Sequence, residues 1–412
     1  MAFQGKRILV GVSGGIAAYR VCEVVSTLAK AGAEVKVILT RSAQEFVTPL
    51  SFSTLARYPA YTDEDFWQPH PRPLHIELGE WAEVVLIAPL TANTLAKLAQ
   101  GLADNLLTNT VLASTCPVLL APAMNTDMWC QGTVQNNWHQ LQAHERYHTV
   151  GPSSGVLACD RLGLGRLAAP PQILAHLASL LQIRGKRDLA GQRVLISGGS
   201  TQEHWDPVRF IGNPATGKMG IALAQAAHHR GATVTLVHGP LSPELVALLP
   251  EAIQTIGVVD AQAMHRAMVE HFPTTQITVM AAAVADVRPT ACSSTKLTKR
   301  EMLQRVHLAP VPDILADLGS RKCADQYLVG FAAQTGDIES PALAKLQAKH
   351  LDAIVANPVD VAGSGFGSET NQAIFLDRHQ RRREIPPCTK LAMAHALFDF
   401  INSCLNCPSP SP

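Results

Sequence analysis

Apolar residues along this chain gather in short unbroken runs, each followed by a glycine-rich turn and then by apolar positions spaced three and four apart. KRILVGVSGG opens the first such segment, a helical stretch runs to LAKAGA, and EVKVILT closes it. QRVLISGG opens the second, which continues through a long loop into MGIALAQAAHHRGA and TVTLVHG. Continuous apolar runs of this length predict strands buried on both faces, as in a parallel sheet. Both helices should stop at a glycine, Gly32 and Gly231. Each segment therefore predicts a βαβ unit that opens a doubly wound α/β domain, and the unit occurs twice. Further buried strands are expected at residues 83–91 and 117–125 in the first half, and at 277–286, 327–335 and 351–359 in the second.

Between the halves lie a Pro-capped helix and the polar basic stretch RGKRD, which place a domain boundary near Gly185–Gly191. We take residues 1–190 and 191–412 as the two domains. Ligands in open parallel sheets bind beyond the carboxyl ends of the strands. Those ends here carry small and hydroxyl residues, as a phosphate-binding rim needs. Two nucleotide-type sites on one chain are expected.

One string, GNPATGKMG, nearly spells a P-loop: Gly212, Gly217 and Lys218 have the G-x-x-x-x-G-K spacing, but Met219 stands where Ser or Thr should hold Mg²⁺. Twelve residues also separate it from its strand, whereas a Walker loop follows the strand directly. An anion-binding helix start fits the string better, with Asp206, Arg209 and Asn213 as polar groups in the preceding loop.

Composition narrows the class without changing this picture. The 412 residues are 47% hydrophobic and 16% charged, enough for large cores, and a formal net charge of +1 gives no reason to expect a nucleic-acid or membrane surface. No run approaches a membrane span, and GVSGG interrupts the N-terminal apolar stretch, unlike a secretory signal. Nine scattered cysteines do not form a disulfide framework, which favours a reducing cytoplasm. The C-x-x-C of Cys404 and Cys407 has no second Cys/His pair nearby, so a frayed terminus is expected rather than a zinc site.

GVSGGIAAY, PLTANTLAKLAQGLADNLLT and PAMNTDMW resemble the flavin-dependent cysteine decarboxylases. STQEHWDPVRFIGNPATGKMG, AAAVADVRP with Lys296-Leu-Thr-Lys299, and GFAAQT resemble phosphopantothenate–cysteine ligase. Their order matches the bifunctional proteins of bacterial coenzyme A biosynthesis, over about residues 5–400. The resemblance implies two Rossmann-like domains, a flavodoxin-like flavoprotein domain followed by a ligase domain. It implies that 4′-phosphopantothenate and cysteine are joined through an acyl-cytidylate made from CTP. The 4′-phosphopantothenoylcysteine so formed is then decarboxylated to 4′-phosphopantetheine with FMN, which provides the electron sink that an unassisted carboxylate lacks. Trimer-forming decarboxylase and dimer-forming ligase domains would build a large homo-oligomer, up to a dodecamer.

Residue by residue, the resemblance assigns Ser13, Gly14, Gly15, Thr40 and Ser42 to the flavin phosphate, and Pro89, Thr91 and Asn93 to the flavin ring. His75 matches the active-site histidine, Asn125 the residue that binds the substrate carboxylate, and Cys159 the acid that protonates the enethiolate. Asp160 stands where the family typically has Gly, beside a flap whose flexibility Gly155, Gly163 and Gly165 would supply. In the ligase half, Lys296 matches the lysine on the nucleotide phosphates and activated carboxylate. Met280, Ala281, Ala282 and Asp286 match nucleotide-binding positions, and Val311, Pro312, Asp313, Ile314 and Phe331 shape the pocket. Lys345 and Lys349 share a helix face and would reach the triphosphate, while Asn213 and Arg209 would handle the acyl-cytidylate and phosphopantothenate. Mg²⁺ would arrive with CTP. Val287 replaces a common Tyr, and residues 291–295 are atypical. The competing classes are a non-catalytic flavin-binding regulator, against which intact His75, Asn125 and Cys159 stand, and a flavin prenyltransferase, which would leave residues 191–400 without a purpose.

Overall fold

The computed structural model describes residues 2–158, 160–304, 307–361 and 363–405. Contacts divide the chain into two compact units, one ending at Arg187 and the other beginning at Asp188.

In the first unit, strands β1 (Arg7–Val12), β2 (Glu34–Leu39), β3 (Ala60–Tyr61), β4 (Val84–Leu90), β5 (Val118–Pro122) and β6 (Tyr147–Thr149) form one parallel sheet in the order β3-β2-β1-β4-β5-β6. Without the two-residue edge strand β3, the remaining five run 2-1-3-4-5, the flavodoxin-like order. Successive side chains of a strand point to opposite faces. Thus Ile8 and Val10 pack with Val21 and Val25 of helix Ala18–Lys30 on one face, while Leu9 and Ile87 pack with Leu78 and Leu95 on the other. Cover on both faces is why these strands read as unbroken apolar runs. A short antiparallel hairpin follows, β7 (Ser153–Val156) with β8 (Leu162–Arg166).

The second unit repeats the plan. Strands β9 (Arg193–Gly198), β12 (Thr233–His238), β13 (Gln254–Gly257), β14 (Ile277–Met280), β17 (Tyr327–Gln334) and β18 (Ala353–Pro358) form the parallel part, in the order β13-β12-β9-β14-β17-β18. Two antiparallel strands, β19 (Thr370–Asp377) and β20 (Arg382–Thr389), extend it past β18. Two small ribbons lie outside this sheet, β10 (Gln202–His204) with β11 (Phe210–Gly212), and β15 (Val287–Pro289) with β16 (Leu308–Pro310). Helix Lys218–His229 packs close against β9, since a Cβ on Gly220 would lie 2.7 Å from the Gly198 Cα. The sequence run 277–286 is a strand only to Met280; beyond it the backbone bends into a loop held by Ala283 N–H donating to Gly199 O at 2.8 Å. Strands β19 and β20 carry no run that announces them, and Pro386 and Pro387 fall on the edge strand, where a missing donor is tolerated.

Both sheets reverse their strand order beside the first strand, between β1 and β4 and between β9 and β14. Each of these switch points opens onto a cavity.

Candidate active sites

The first unit holds a cavity of about 1130 Å³ at the carboxyl edge of its sheet. The loop after β1 supplies Gly14 and Gly15, the loop after β2 Thr40 and Ser42, the loop after β4 Thr91 and Asn93, and the loop after β5 Asn125. Gly14 is required by proximity: a Cβ there would sit 2.3 Å from the Ser42 Cβ. Helix Ala18–Lys30 begins here without a side-chain cap and without an acidic residue in its first turn. The positive end of its dipole, the hydroxyl of Ser42 and the nearby Arg20 and Arg41 suit a phosphate. Ile16, Tyr19, Met124, Met128 and Leu157 give the rest of the cavity an apolar lining suited to a flat ring. A flavin phosphate and ring fit the residues present.

Ser13 and Pro89 lie beneath this cavity and do not line it. The Ser13 hydroxyl donates to Pro89 O at 2.5 Å and accepts from Thr91 N at 3.0 Å, which locks the β1 and β4 loops together. Asn125 accepts from Asp127 N at 2.8 Å and thereby caps the short helix Thr126–Trp129. The hairpin β7–β8 closes one side of the cavity. Here Gly163 and Gly165 serve close approach more than flexibility: a Cβ on Gly163 would meet Thr126 Oγ1 at 2.3 Å, and one on Gly165 would meet Met124 O at 2.2 Å. Asp160 adopts φ +60° and its N–H donates to Leu157 O at 3.0 Å, closing the hairpin tip. Asp is among the few side chains that enter this left-handed region readily, which explains how it holds this turn. Cys159 lies outside the described residues.

His75 is not brought to this cavity. It lies in the first turn of helix Leu74–Trp81 and stacks edge-on against Phe66 at 5.4 Å, and its buried Nδ1 has no hydrogen-bond partner. Around the cavity mouth, Ile16 (58%), Tyr19 (61%) and Val156 (61%) are strongly exposed for apolar side chains.

The second unit has a cavity of about 590 Å³ at its own switch point. Met280, Ala281, Ala282, Asp286, Val311, Pro312, Asp313, Ile314, Phe331, Lys345, Lys349 and Asn213 all line it. Asn213 Nδ2 donates to Ala283 O and Val284 O, which ties the helix-start loop to the wall after β14. Lys345 Nζ donates to Phe331 O at 2.8 Å, and Lys349 pairs with Asp313 at 2.8 Å. Burial, and then the Lys349 charge, push the Lys345 pKa down, while Asp313 and Asp286 hold it up. Two lysines crowded at a cavity wall suit a polyanion. Asp313 is also the N-cap of helix Ile314–Arg321; burial raises its pKa, but the bonds from Lys349 and Ala316 outweigh this and hold it low.

The string GNPATGKMG forms a helix start. Gly217 is its N-cap at φ +86°, where a Cβ would strike the Leu241 side chain, and helix Lys218–His229 points its N-terminus at the cavity. Lys218, named in the sequence only as part of the near P-loop string, also lines the cavity, as does Lys390. Lys218 pairs with Glu369 and donates to Gly367 O at 3.0 Å. Its G-K spacing was the available signal; Lys390 had none.

Lys296 and Arg209 do not line the cavity. Lys296 is exposed, in the loop before helix Lys299–Gln304. Arg209 spends its guanidinium on Leu297 O, the Met302 sulfur and the Asp206 carboxylate. Among the described residues, no group of three or more His, Cys, Asp or Glu side chains could hold a metal ion, and no helix is long and apolar enough to cross a membrane. Cys404 belongs to the last helix, Lys390–Leu405, and its thiol donates to Asp377 Oδ2 at 3.5 Å. Cys407 lies outside the described residues.

The sequence profile of the flavoprotein family matches residues 2–182, and that of the DNA/pantothenate metabolism flavoprotein C-terminal domain matches residues 189–405. The chain is 42% identical over 399 residues to the coenzyme A biosynthesis bifunctional protein CoaBC of Bacillus subtilis (strain 168), covering 97% of each chain. It is 39% identical over 405 residues to the protein of the same name from Vibrio cholerae serotype O1, covering 97% of this chain and 99% of that one. A cysteine/cysteine sulfinic acid decarboxylase from an unknown prokaryotic organism is 42% identical over 339 residues, 81% of this chain and 92% of the relative.

Proposed function

The chain belongs to the family of bifunctional coenzyme A biosynthesis proteins, and from that premise we propose how its two units share the work. It is both a decarboxylase and a ligase. We assign ligation to the second unit and decarboxylation to the first.

In the second unit, the carboxylate of 4′-phosphopantothenate attacks the α-phosphorus of CTP and pyrophosphate leaves. The amine of cysteine then attacks the acyl carbon, CMP leaves, and the amine gives up a proton. Lys345 and Lys349 hold the triphosphate, and an anion there also relieves the mutual repulsion of the two lysines. Met280, Ala281, Ala282, Asp286 and Phe331 take the nucleoside. Asn213 and the amides at the start of helix Lys218–His229 face the acyl-cytidylate, and Lys296 neutralises charge that builds up on the reacting groups. Mg²⁺ enters with the CTP phosphates.

In the first unit, Gly14, Gly15, Thr40 and Ser42 hold the FMN phosphate, and Thr91 and Asn93 border the ring. Bound FMN supplies a two-electron sink, and later returns the pair, so that CO₂ can leave from a carbon otherwise unable to stabilise the electrons. Asn125 orients the substrate carboxylate, the hairpin β7–β8 excludes water, and Cys159 gives the closing proton. His75 acts on the cavity of a neighbouring copy in a homo-oligomer; its unpartnered Nδ1 and the exposed apolar side chains around the cavity mouth support this. The protein works in the cytoplasm.

The observation that carries this reading is that each sheet opens a separate cavity at its own switch point, one apolar with an uncapped helix start and one lined with lysines. The full chain should turn cysteine, phosphopantothenate and CTP into CO₂, CMP and phosphopantetheine. Without CTP it should still release CO₂ from supplied phosphopantothenoylcysteine. A colourless protein with added FMN, or CO₂ release from phosphopantothenoylcysteine that requires CTP, would overturn the division.

A further inference from the structure

Asp206 is fully buried, and it does not line the cavity. Its Oδ1 accepts from the N–H of Val208 at 2.8 Å and of Arg209 at 2.9 Å, which closes the turn between β10 and β11. Oδ2 faces the other way: it accepts from Leu297 N–H at 3.2 Å and pairs with the Arg209 guanidinium at 3.2 Å. Arg209 in turn donates to Leu297 O, so the peptide groups on both sides of this one residue are gripped by an ion pair. Two further ties fix the same segment. Ser293 N–H donates to Trp205 O at 2.8 Å, and Arg209 reaches the Met302 sulfur on the following helix. Lys296 is the residue next to the gripped one. Burial works to raise the Asp206 pKa, but the three backbone donors and the Arg209 charge outweigh it and keep the carboxylate ionised.

A flexible lysine on an exposed loop is a poor electrostatic catalyst, because each productive pose must be found at an entropic cost. Fixing the backbone beside it removes the backbone share of that cost. We propose that Asp206 is a positioning residue for the ligase reaction, setting the place of Lys296 through its bond to Leu297 N–H. This rests on the role given above to Lys296.

The geometry supplies a selective variant. D206N can keep Oδ1 on the Val208 and Arg209 amides, but then presents an NH₂ to the Leu297 N–H, donor against donor. R209K keeps a cation near Asp206 but loses the fork that reaches Leu297 O and the Met302 sulfur together. CTP-dependent ligation by the full chain is measured in D206N, R209K, K296Q and the two double variants, with decarboxylation of supplied phosphopantothenoylcysteine as the internal control. We expect K296Q to lose about 10²-fold or more in ligation. D206N should lose about 10-fold or more in kcat, with a smaller change in KM for CTP and decarboxylation intact. In the K296Q background, D206N and R209K should cost nothing further, since the lysine they position is gone. Normal ligation in K296Q would remove the lysine reading and the positioning role with it. K296Q impaired but D206N normal, or an equal D206N loss in both backgrounds, would overturn the positioning role alone. If D206N folds poorly, R209K and its double variant decide by the same comparison.

Discussion

Gly165→Ala tests whether the hairpin β7–β8 must seat on the segment after β5 for decarboxylation. The added methyl would lie 2.2 Å from Met124 O, and the backbone there has φ +146°, which L side chains rarely adopt. Relief to an ordinary contact means opening that gap to at least about 3 Å, which pulls apart the Gly165 O to Met124 N–H bond, 2.9 Å long in the native hairpin. Losing the bond costs about 1 kcal/mol, and backbone strain of this kind adds about 1–3 kcal/mol. The seated hairpin is therefore disfavoured by about 2–4 kcal/mol, or roughly 30- to 1000-fold in population. Because Asn125 sits between Met124 and the Thr126 that Gly163 touches, the loss should appear in kcat/KM for phosphopantothenoylcysteine. CO₂ release is the assay, flavin absorbance reports whether the rim still binds, and CTP-dependent ligation serves as the control. Global melting should barely change, since a surface hairpin opens locally. Wild-type decarboxylation in G165A, with flavin bound, would refute the claim that the seated hairpin is the active form.

Two other outcomes follow from buried titratable groups. Burial, and secondly the Arg187 charge, depress His148 to about 4, and burial with the Arg230 charge depresses His395 to about 3. Each histidine is neutral in the fold while the unfolded chain protonates below about 6.5, so stability is full above pH 6.5 and falls as the pH drops toward 4. The loss at the His148 site is at most about 3 kcal/mol. H148Q should flatten the acid side of the melting curve for the first unit, and an unchanged pH slope would count against the burial argument. Arg230 is 2% exposed and bridges Asp188 and Asp399 at 2.5 and 2.7 Å. Because both carboxylates remain partly exposed, R230M should cost about 2–3 kcal/mol rather than the 3–5 of a wholly buried pair. Calorimetry should show the second unit melting about 4–12 °C lower; no shift would mean that the ion pairs contribute nothing net.

The sequence by itself determined the repeated strand, glycine turn and helix, because hydrophobic period and glycine placement are local properties. Arg7–Val12 and Arg193–Gly198 are apolar runs whichever partner they find, and Gly32 and Gly231 end their helices at φ +84° and +92° regardless of what packs on them. Cavity positions such as Gly14, Thr91, Asn125, Asp286 and Phe331 were named by the resemblance, and a parallel sheet, which brings the loops at its carboxyl edge together, gathers them. Tertiary structure alone decided which side chains meet across the chain. Ser13 braces Thr91 from 78 residues away, and Asp206 grips Leu297 from 91 away. His75 and Lys296 match the family string yet stand outside the cavity of their own unit, since a matching string fixes residue type but not where the chain carries it. Strands β19 and β20 were invisible because an antiparallel extension on a sheet edge is set by its neighbour, not by its own periodicity. Local pattern fixes what a segment can be, and only packing, which sums over distant segments at once, selects its partner.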